Sequence, residues 1–279
     1  MVRRYACIRL PLHAFDTPDR LGYSGCEDTP MPTLYVVGTP IGNLEDITLR
    51  ALRVLQEVSV IAAEDTRTTR KLLTKYGMKT RLISYHQFSR PERTEQLLDM
   101  LNTQDVALVS DAGTPGIHDP GYPLVRAAVQ RGVTVVPLPG ASAVASALAV
   151  SGLSADQFLF LGFLPRRPKE RRGMLASLLV EARTAVAFEA PHRIRKTLKE
   201  VADILGQRPL VVCRELTKLY EEVYHGDAAG AAERFSQPRG EFTLVFGGCG
   251  LDGSEYWQEA PLQSPQVAPA RTRQRKRPA

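Results

Sequence analysis

Cysteine is scarce in this 279-residue sequence, and its four copies lie far apart: Cys7, Cys26, Cys213 and Cys249. The absence of a C-x-x-C pair excludes the common zinc and redox motifs, and no metal ligands are predicted. Reduced, unpaired thiols are typical of a cytosolic enzyme. Long apolar runs are also missing, since none approaches the roughly 20 residues that span a bilayer. These absences together predict a cytoplasmic protein.

Standard cofactor motifs are missing as well. Residues 248–253 have the G-x-G-x-x-G spacing and follow a predicted strand, but no helical pattern comes after them. The dinucleotide-binding motif requires that helix. The sequence also contains no G-x-x-x-x-G-K-[ST], no H-E-x-x-H and no nucleophile elbow. No common cofactor motif therefore identifies the ligand of this chain.

Positive charge is not spread over the folded part of the chain. Five of the six net positive charges come from the last nine residues, namely Arg271, Arg273, Arg275, Lys276 and Arg277. Without them the rest of the chain carries +1, so the high pI does not indicate a nucleic-acid-binding body. We expect residues 1–30 and 249–279 to be poorly ordered extensions of a body that begins near Met31.

The most informative stretch is residues 110–121. An apolar run at 106–109 predicts a buried strand before it, and helical spacing at 122–130 predicts a helix after it. Such connections usually take about two to six residues, whereas this one is longer and contains three glycines and two prolines. It also carries four polar side chains: Asp111, Thr114, His118 and Asp119. Because open α/β sheets bind ligands at the carboxyl ends of their strands, we predict a binding loop, with an ordinary connection as the alternative.

Strands and helices alternate along the chain, which indicates an α/β protein with two α/β domains. The first domain, 31–151, contains predicted strands at 33–37, 59–63, 81–85, 106–109 and 133–138. The second, 152–248, contains strands at 158–163, 184–188, 210–214 and 241–246 and a hairpin-like stretch at 221–224. Asp46 is the expected N-cap of the first helix, and residues 89–92 match a capping box.

Two further segments have the composition of binding sites. Residues 139–142 open a very apolar helix, and Gly140, Ala141 and Ser142 are small enough for an anionic ligand to reach the helix N-terminus. Tight packing of that helix is the alternative. Residues 166–172 contain five basic side chains, which suit a phosphate backbone, although charge runs are often only solvated surface.

Seven segments in order resemble one known family. They are VVGTPIGNLED (36–46), AEDTR (63–67), VSDAGTPGIHDPG (109–121), PLPGAS (137–142), FEAPHR (188–193), RELTK (214–218) and GEFTL (240–244). The chain is similar over about residues 34–248 to the ribosomal RNA small subunit methyltransferase I family, within the tetrapyrrole methylase superfamily. That family methylates the ribose 2′-oxygen of a cytidine in the decoding region of bacterial 16S ribosomal RNA.

The resemblance implies two α/β domains, a homodimer, the 30S ribosomal subunit or its 16S RNA as substrate, and S-adenosylmethionine in the cleft between the domains. The implied cofactor-binding residues are Pro40, Asp111, Ala112, Gly113, Thr114, Gly116, Gly140, Ala141, Ser142, Phe188, Glu189, Leu216, Glu241 and Phe242. The superfamily loop commonly reads Gly-Gly-Asp-Pro, and here Thr114 stands in place of its aspartate. Within this interpretation the RNA backbone is contacted by Arg166, Arg167, Arg171, Arg172 and Arg193.

Transfer to a ribose hydroxyl requires a base within hydrogen-bonding reach. Glu64 and Asp65 follow a predicted strand and are the candidates for this base, with Arg67 orienting the substrate. A helix cap with a salt bridge is the alternative for these residues.

Two other functions remain open. A tetrapyrrole methyltransferase acting on a corrinoid precursor would share the fold and the cofactor, but the basic loop at 166–172 and the motif at 63–67 argue against it. A noncatalytic RNA-binding protein would lack cofactor binding, and the intact turn at 139–142 argues against that.

Overall fold

The computed structural model describes residues 31–251 and 253–257. The expectations for residues 1–30 and 258–279 lie outside the described residues. In the described part of the chain, ten strands form two five-stranded sheets: β1 (Thr33–Val37), β2 (Val60–Ala63), β3 (Arg81–Ser84), β4 (Val106–Val109), β5 (Thr134–Leu138), β6 (Phe158–Phe163), β7 (Thr184–Glu189), β8 (Leu210–Arg214), β9 (Glu222–Gly226) and β10 (Phe242–Phe246). The fold is therefore α/β, as predicted.

Helices connect most of these strands. They are α1 (Leu49–Glu57), α2 (Thr66–Lys75), α3 (Pro91–Met100), α4 (Tyr122–Gln130), α5 (Ala143–Ser151), α6 (Pro168–Ser177), α7 (Pro191–Leu205), α8 (Ala228–Arg234) and α9 (Gly253–Tyr256), with single 3-10 turns at Leu44–Asp46 and Leu178–Val180. Within the described part of the chain, none of these helices has the length and apolar character needed to cross a membrane.

The first sheet is entirely parallel, with strand order β3-β2-β4-β1-β5. Its central strand β4 is buried on both faces, which explains its continuous apolar sequence. Ala107 and Val109 pack with α1 and α2, whereas Val106 and Leu108 pack with α3 and α4. Because β4 lies between β1 and β2, the loop after it is flanked by the loops that follow those two strands.

The second sheet is mixed, with strand order β6-β7-β10-β8-β9. Only β6 and β7 pair in parallel, and the remaining pairs are antiparallel. β10 is its central strand, and all five of its residues are buried. The carboxyl end of β7 therefore lies beside the amino end of β10, where Glu189 pairs with Phe242.

Helix α5 follows the first sheet in sequence but packs against the second. Seven of its nine residues are alanine, valine or leucine. Val144, Ala147 and Leu148 share one buried cluster with Val186 of β7 and Val245 of β10. The apolar composition of this helix thus reflects burial against the second sheet.

Several local predictions near the helix ends are wrong. Asp46 does not cap α1, because a 3-10 turn delays the helix and Thr48 becomes its N-cap, accepting a hydrogen bond from the third helical residue. The Ser89 hydroxyl accepts the His86 N–H instead of capping α3, whose N-cap is Arg90.

Within the described residues that follow 249, residues 253–256 form a helical turn. The next residue, Trp257, donates its indole N–H to the Gly226 carbonyl at 3.0 Å.

Candidate active site

The loop at 110–121 is anchored to the loop that follows β1. Thr39 N donates to the Gly113 carbonyl at 2.8 Å, and Gly113 N donates back to the Thr39 carbonyl at 3.0 Å. The Thr39 hydroxyl also donates to the Ser110 carbonyl at 3.1 Å. Gly113 and Gly116 have φ values of +82° and +83°, a conformation that glycine adopts without steric cost.

His118 connects this loop to the end of β6. Its backbone has φ +64°, a region in which histidine is more common than most side chains. Its ring lies 5.1 Å from the Phe163 ring, measured between centroids. A Cβ on Gly162 would lie 2.5 Å from His118 Nδ1, so only glycine leaves room for this imidazole.

A cleft of about 320 Å³ opens between the loop, the start of α5 and the second sheet. Nine of the predicted cofactor-binding residues line it: Ala112, Gly113, Thr114, Ser142, Phe188, Glu189, Leu216, Glu241 and Phe242. Sequence reasoning did not assign to the site several other residues that line it, among them Ile41, Ile117, His118, Asp119, Phe163 and Cys213. Ile117, His118 and Asp119 lie in the loop already predicted to bind a ligand, whereas the sequence has no signal that singles out Phe163 or Cys213.

Five predicted cofactor-binding residues do not line this cleft: Pro40, Asp111, Gly116, Gly140 and Ala141. Pro40 is buried. A Cβ on Gly140 would lie 2.7 Å from the Gly38 carbonyl oxygen. The small size of Gly140 therefore allows the loops after β1 and β5 to touch.

The candidate catalytic residues lie beside the cleft and do not line it. Asp65 N donates to Asp111 Oδ1 at 3.0 Å, and Asp111 N donates to Glu64 Oε2 at 3.2 Å. Asp65 also accepts the Arg67 N–H as the N-cap of α2 and forms a salt bridge with the Arg67 guanidinium at 2.7 Å. These bonds to Arg67 hold the pKa of Asp65 at about 2. Asp65 thus forms the helix cap and salt bridge that were the alternative for these residues.

Three other carboxyl groups in this region have raised pKa values, in contrast to Asp65. Burial is the first cause that raises the pKa of Glu64 and of Asp111. Burial also raises the pKa of Asp119, to about 6, with further contributions from the charges of Glu64 and Asp111. The carboxyl ends of β2 and β4 therefore carry a group of mutually repelling acids next to the cleft.

The remaining carboxylates that line the cleft are neutralised. Glu189 is buried, accepts the Thr197 hydroxyl at 2.6 Å and pairs with Arg193 at 2.5 Å. Glu241 pairs with Lys218 at 2.8 Å. The Arg193 side chain is only 15% exposed, so its assignment as an RNA contact is corrected to that of an internal partner for Glu189.

The basic loop divides into exposed and buried arginines. Arg166, Arg167 and Arg172 are exposed. Arg171, by contrast, is buried and forms two hydrogen bonds with Glu200, at 2.6 and 2.8 Å. The prediction that Arg171 contacts RNA is wrong, because its guanidinium is buried and bonded to Glu200.

The lining of the cleft suits the cofactor that the resemblance implies. Ser142 is the N-cap of α5, and its hydroxyl accepts the Ala145 N–H at 3.4 Å. The first turn of a helix presents unpaired N–H groups and partial positive charge, which fit an amino-acid carboxylate. Leu216, Phe188 and Phe242 provide an apolar wall for a nucleoside.

Several solved structures have this fold. Diphthine synthase aligns with TM-score 0.59 at 16% identity, covering 77% of this chain and 90% of that one. Cobalt precorrin-4 methyltransferase aligns with TM-score 0.58 at 18% identity, covering 77% and 94%. Uroporphyrin-III C-methyltransferase from Thermus thermophilus, complexed with S-adenyl homocysteine, aligns with TM-score 0.55 at 21% identity, covering 77% and 97%. The fold thus defines the class, a two-sheet α/β fold shared with methyltransferases.

Residues 33–232 match the model of the family "Tetrapyrrole (Corrin/Porphyrin) Methylases". Curated relatives named ribosomal RNA small subunit methyltransferase I are much closer than the solved structures. The relative from Synechocystis sp. is 50% identical over 84% of this chain and 85% of its own length, and that from Bacillus subtilis is 44% identical over 86% and 84%. The chain therefore belongs to the tetrapyrrole methylase family, and within it to the ribosomal RNA small subunit methyltransferase I group. The same comparisons confirm the prediction that S-adenosylmethionine is the cofactor.

Proposed function

We propose that this chain transfers the methyl group of S-adenosylmethionine to the ribose 2′-oxygen of a cytidine in the 16S RNA of the small ribosomal subunit. The observation that carries the proposal is the position of the basic loop. Phe163 at the end of β6 lines the cleft, and the exposed Arg166 and Arg167 follow only three and four residues later. A cofactor cleft and cations suited to a phosphate backbone therefore adjoin one another. Relatives at 44–50% identity are named for ribosomal RNA.

The start of α5 would hold the cofactor's amino-acid carboxylate, and Leu216, Phe188 and Phe242 would hold its adenosine. S-adenosylmethionine supplies, when bound, a methyl group on a positively charged sulfur. Backbone carbonyl groups are better neighbours for such a charge than cations are. Closely held reactants gain much of their rate from positioning alone.

The base of the target nucleotide must leave its stack before the ribose can enter a cleft of this kind. Phe163 and Ile117 line the cleft with 47% and 55% of their surfaces still exposed. An exposed aromatic ring provides a stacking surface for an extruded base, and Arg166, Arg167 and Arg172 would contact the adjacent phosphates. We include in the proposal the homodimer that the resemblance implies and the domain boundary that the sequence predicts between residues 151 and 152.

Transfer of labelled methyl from S-adenosylmethionine tests this function directly. Small ribosomal subunits and their stripped RNA would be prepared from cells that lack the gene, with subunits from normal cells as the already methylated control. Nuclease digestion and mass spectrometry should find one 2′-O-methylcytidine in the 16S RNA. Label in a corrinoid precursor, with none in RNA, would establish the tetrapyrrole alternative, whereas cofactor binding without transfer to RNA or a tetrapyrrole would contradict both enzymatic functions.

A further inference from the structure

The proposed reaction needs a group that takes the proton of the attacking ribose hydroxyl. That group must reach the interior of the cleft, and Glu64 and Asp65 do not line it. Three carboxylates do: Asp119, Glu189 and Glu241. The base should therefore be sought among these three.

Ion pairing separates the three carboxylates. Glu189 is paired with Arg193 and Glu241 with Lys218, so both charges are already compensated by a cation. Asp119 has no salt bridge within residues 31–251 and 253–257. It is the lining carboxylate whose charge is left uncompensated.

The backbone holds Asp119 in place from both sides. His118 before it has φ +64°, and its ring packs against Phe163 of β6. Gly121 after it has φ +142°, and a Cβ there would lie 3.1 Å from Leu108 Cδ2. Asp119 is thus presented by a short segment that is anchored to both halves of the cleft.

The surroundings of Asp119 favour proton uptake. It is partly buried, and the charged groups that act on it, Glu64 after β2 and Asp111 after β4, are both acidic. Burial and these two charges raise its pKa to about 6, while a hydrogen bond with the Ser110 side chain acts in the opposite direction. A carboxylate with a pKa near the working pH is ionised in neutral solution and still accepts a proton effectively.

We infer that Asp119 is the general base of the methyl transfer, an inference that rests on the proposed function. The ribose O–H bond breaks and its proton passes to an Asp119 carboxylate oxygen. The electron pair left on the 2′-oxygen forms the new bond to the methyl carbon. The bond between methyl carbon and sulfur breaks, and its electron pair remains on the sulfur, which becomes neutral. Glu64 acts indirectly, because its negative charge helps to raise the pKa of Asp119.

Asp119→Asn tests this role while keeping the size of the side chain. General bases contribute about 100-fold to 10,000-fold to rate, so single-turnover transfer to small-subunit RNA should slow by that factor while the Kd for S-adenosylmethionine stays within about threefold. Asp99→Asn is the matched control, because Asp99 is a solvent-exposed carboxylate on α3 that does not line the cleft. Full transfer activity in Asp119→Asn would overturn the inference.

The dependence of rate on pH gives an independent readout. The wild-type rate should rise as the pH passes about 6 and then level off, and Asp119→Asn should lose this rise. Glu64→Gln removes a charge that raises the pKa of Asp119, so the rise should move to lower pH. If Glu64→Gln loses the rise and Asp119→Asn keeps it, Glu64 is the base and Asp119 is not.

Different results would refute the proposed function and the assignment of Asp119 as the base. If the wild-type protein leaves small-subunit RNA unlabelled, the proposed function is wrong and the assignment of Asp119 falls with it. If the wild type labels the RNA and Asp119→Asn does so equally fast, the function stands and only the assignment of Asp119 is wrong.

Discussion

Replacing Glu200 with glutamine removes a buried charge from α7 while keeping the side-chain volume. Glu200 Oε2 and Oε1 accept hydrogen bonds from Arg171 Nε and Nη2 at 2.6 and 2.8 Å. The two side chains are only 3% and 8% exposed. Arg171 Nη1 also donates to the carbonyls of Pro165 and Arg166, at 3.2 and 3.3 Å. This pair therefore ties the start of the basic loop to α7.

Breaking a buried ion pair from one side typically costs about 3–5 kcal/mol, because the other charge stays buried without its partner. Glu200→Gln retains one hydrogen-bond acceptor, so we expect a loss near the lower end, about 3 kcal/mol. That is a large part of the roughly 5–15 kcal/mol by which proteins of this kind are stable. Urea unfolding, followed by circular dichroism, would measure it as a lower midpoint.

Glu170→Gln is the matched control, since Glu170 lies next to Arg171 on α6 and forms an exposed pair with Arg167. Exposed pairs contribute about 0–1 kcal/mol. The double variant Arg171→Met/Glu200→Leu should recover most of the stability lost in Glu200→Gln, because no charge is left buried. An equal effect of Glu200→Gln and Glu170→Gln would refute the reasoning.

The pH dependence of stability follows from the same pair. The Arg171 guanidinium lowers the pKa of Glu200 in the folded protein below its ordinary value of 4.5. A carboxylate with a lowered folded-state pKa stabilises the fold above its unfolded pKa, and this contribution is lost as the pH falls. The difference in unfolding free energy between the wild type and Glu200→Gln should therefore shrink progressively below pH 4.5.

Three further predictions concern the mouth of the cleft. Arg166→Gln/Arg167→Gln should weaken RNA binding, and the slope of log K against log salt should fall by about two, one for each phosphate contact; filter binding at several salt concentrations measures both. Phe163→Ala should cost about 1–3 kcal/mol of RNA binding if the ring stacks on the extruded base, measured as a higher RNA Kd. Gly162→Ala places a Cβ 2.5 Å from His118 Nδ1 at a φ of +66°, so it should both lower the thermal midpoint and slow methyl transfer.

Matched controls are available for these variants. The pair Arg53→Gln/Lys79→Gln removes two exposed charges outside the basic loop and should leave the salt slope unchanged. Phe158 is similarly exposed on the same strand as Phe163 but does not line the cleft, so Phe158→Ala should not weaken RNA binding. Gly206 has φ +62° with open space around it. If Gly206→Ala and Gly162→Ala are equally harmful, the contact with His118 is not the cause.

Strand positions were predictable because short apolar runs bounded by turn residues leave few other folds. The predicted strands at 33–37, 106–109 and 158–163 match the structure at both ends. Helix caps were less predictable, since serine and aspartate bond equally well to any nearby N–H. Ser89 bonds to His86 N instead of to the helix that follows it.

The sequence by itself determined the α/β class, the long loop after β4 and the membership of a methylase family, because these depend on local patterns and on ordered motifs. Only the tertiary structure decided which charged side chains are paired inside the protein and which are left without a partner of opposite charge. Arg171 and Arg193 differ from the exposed Arg166 and Arg167 because the fold holds them inside the protein, paired with Glu200 and Glu189. Asp65 caps α2 and pairs with Arg67, whereas Asp119 lines the cleft near other acids. Charge compensation depends on distances in space, which the order of residues does not reveal.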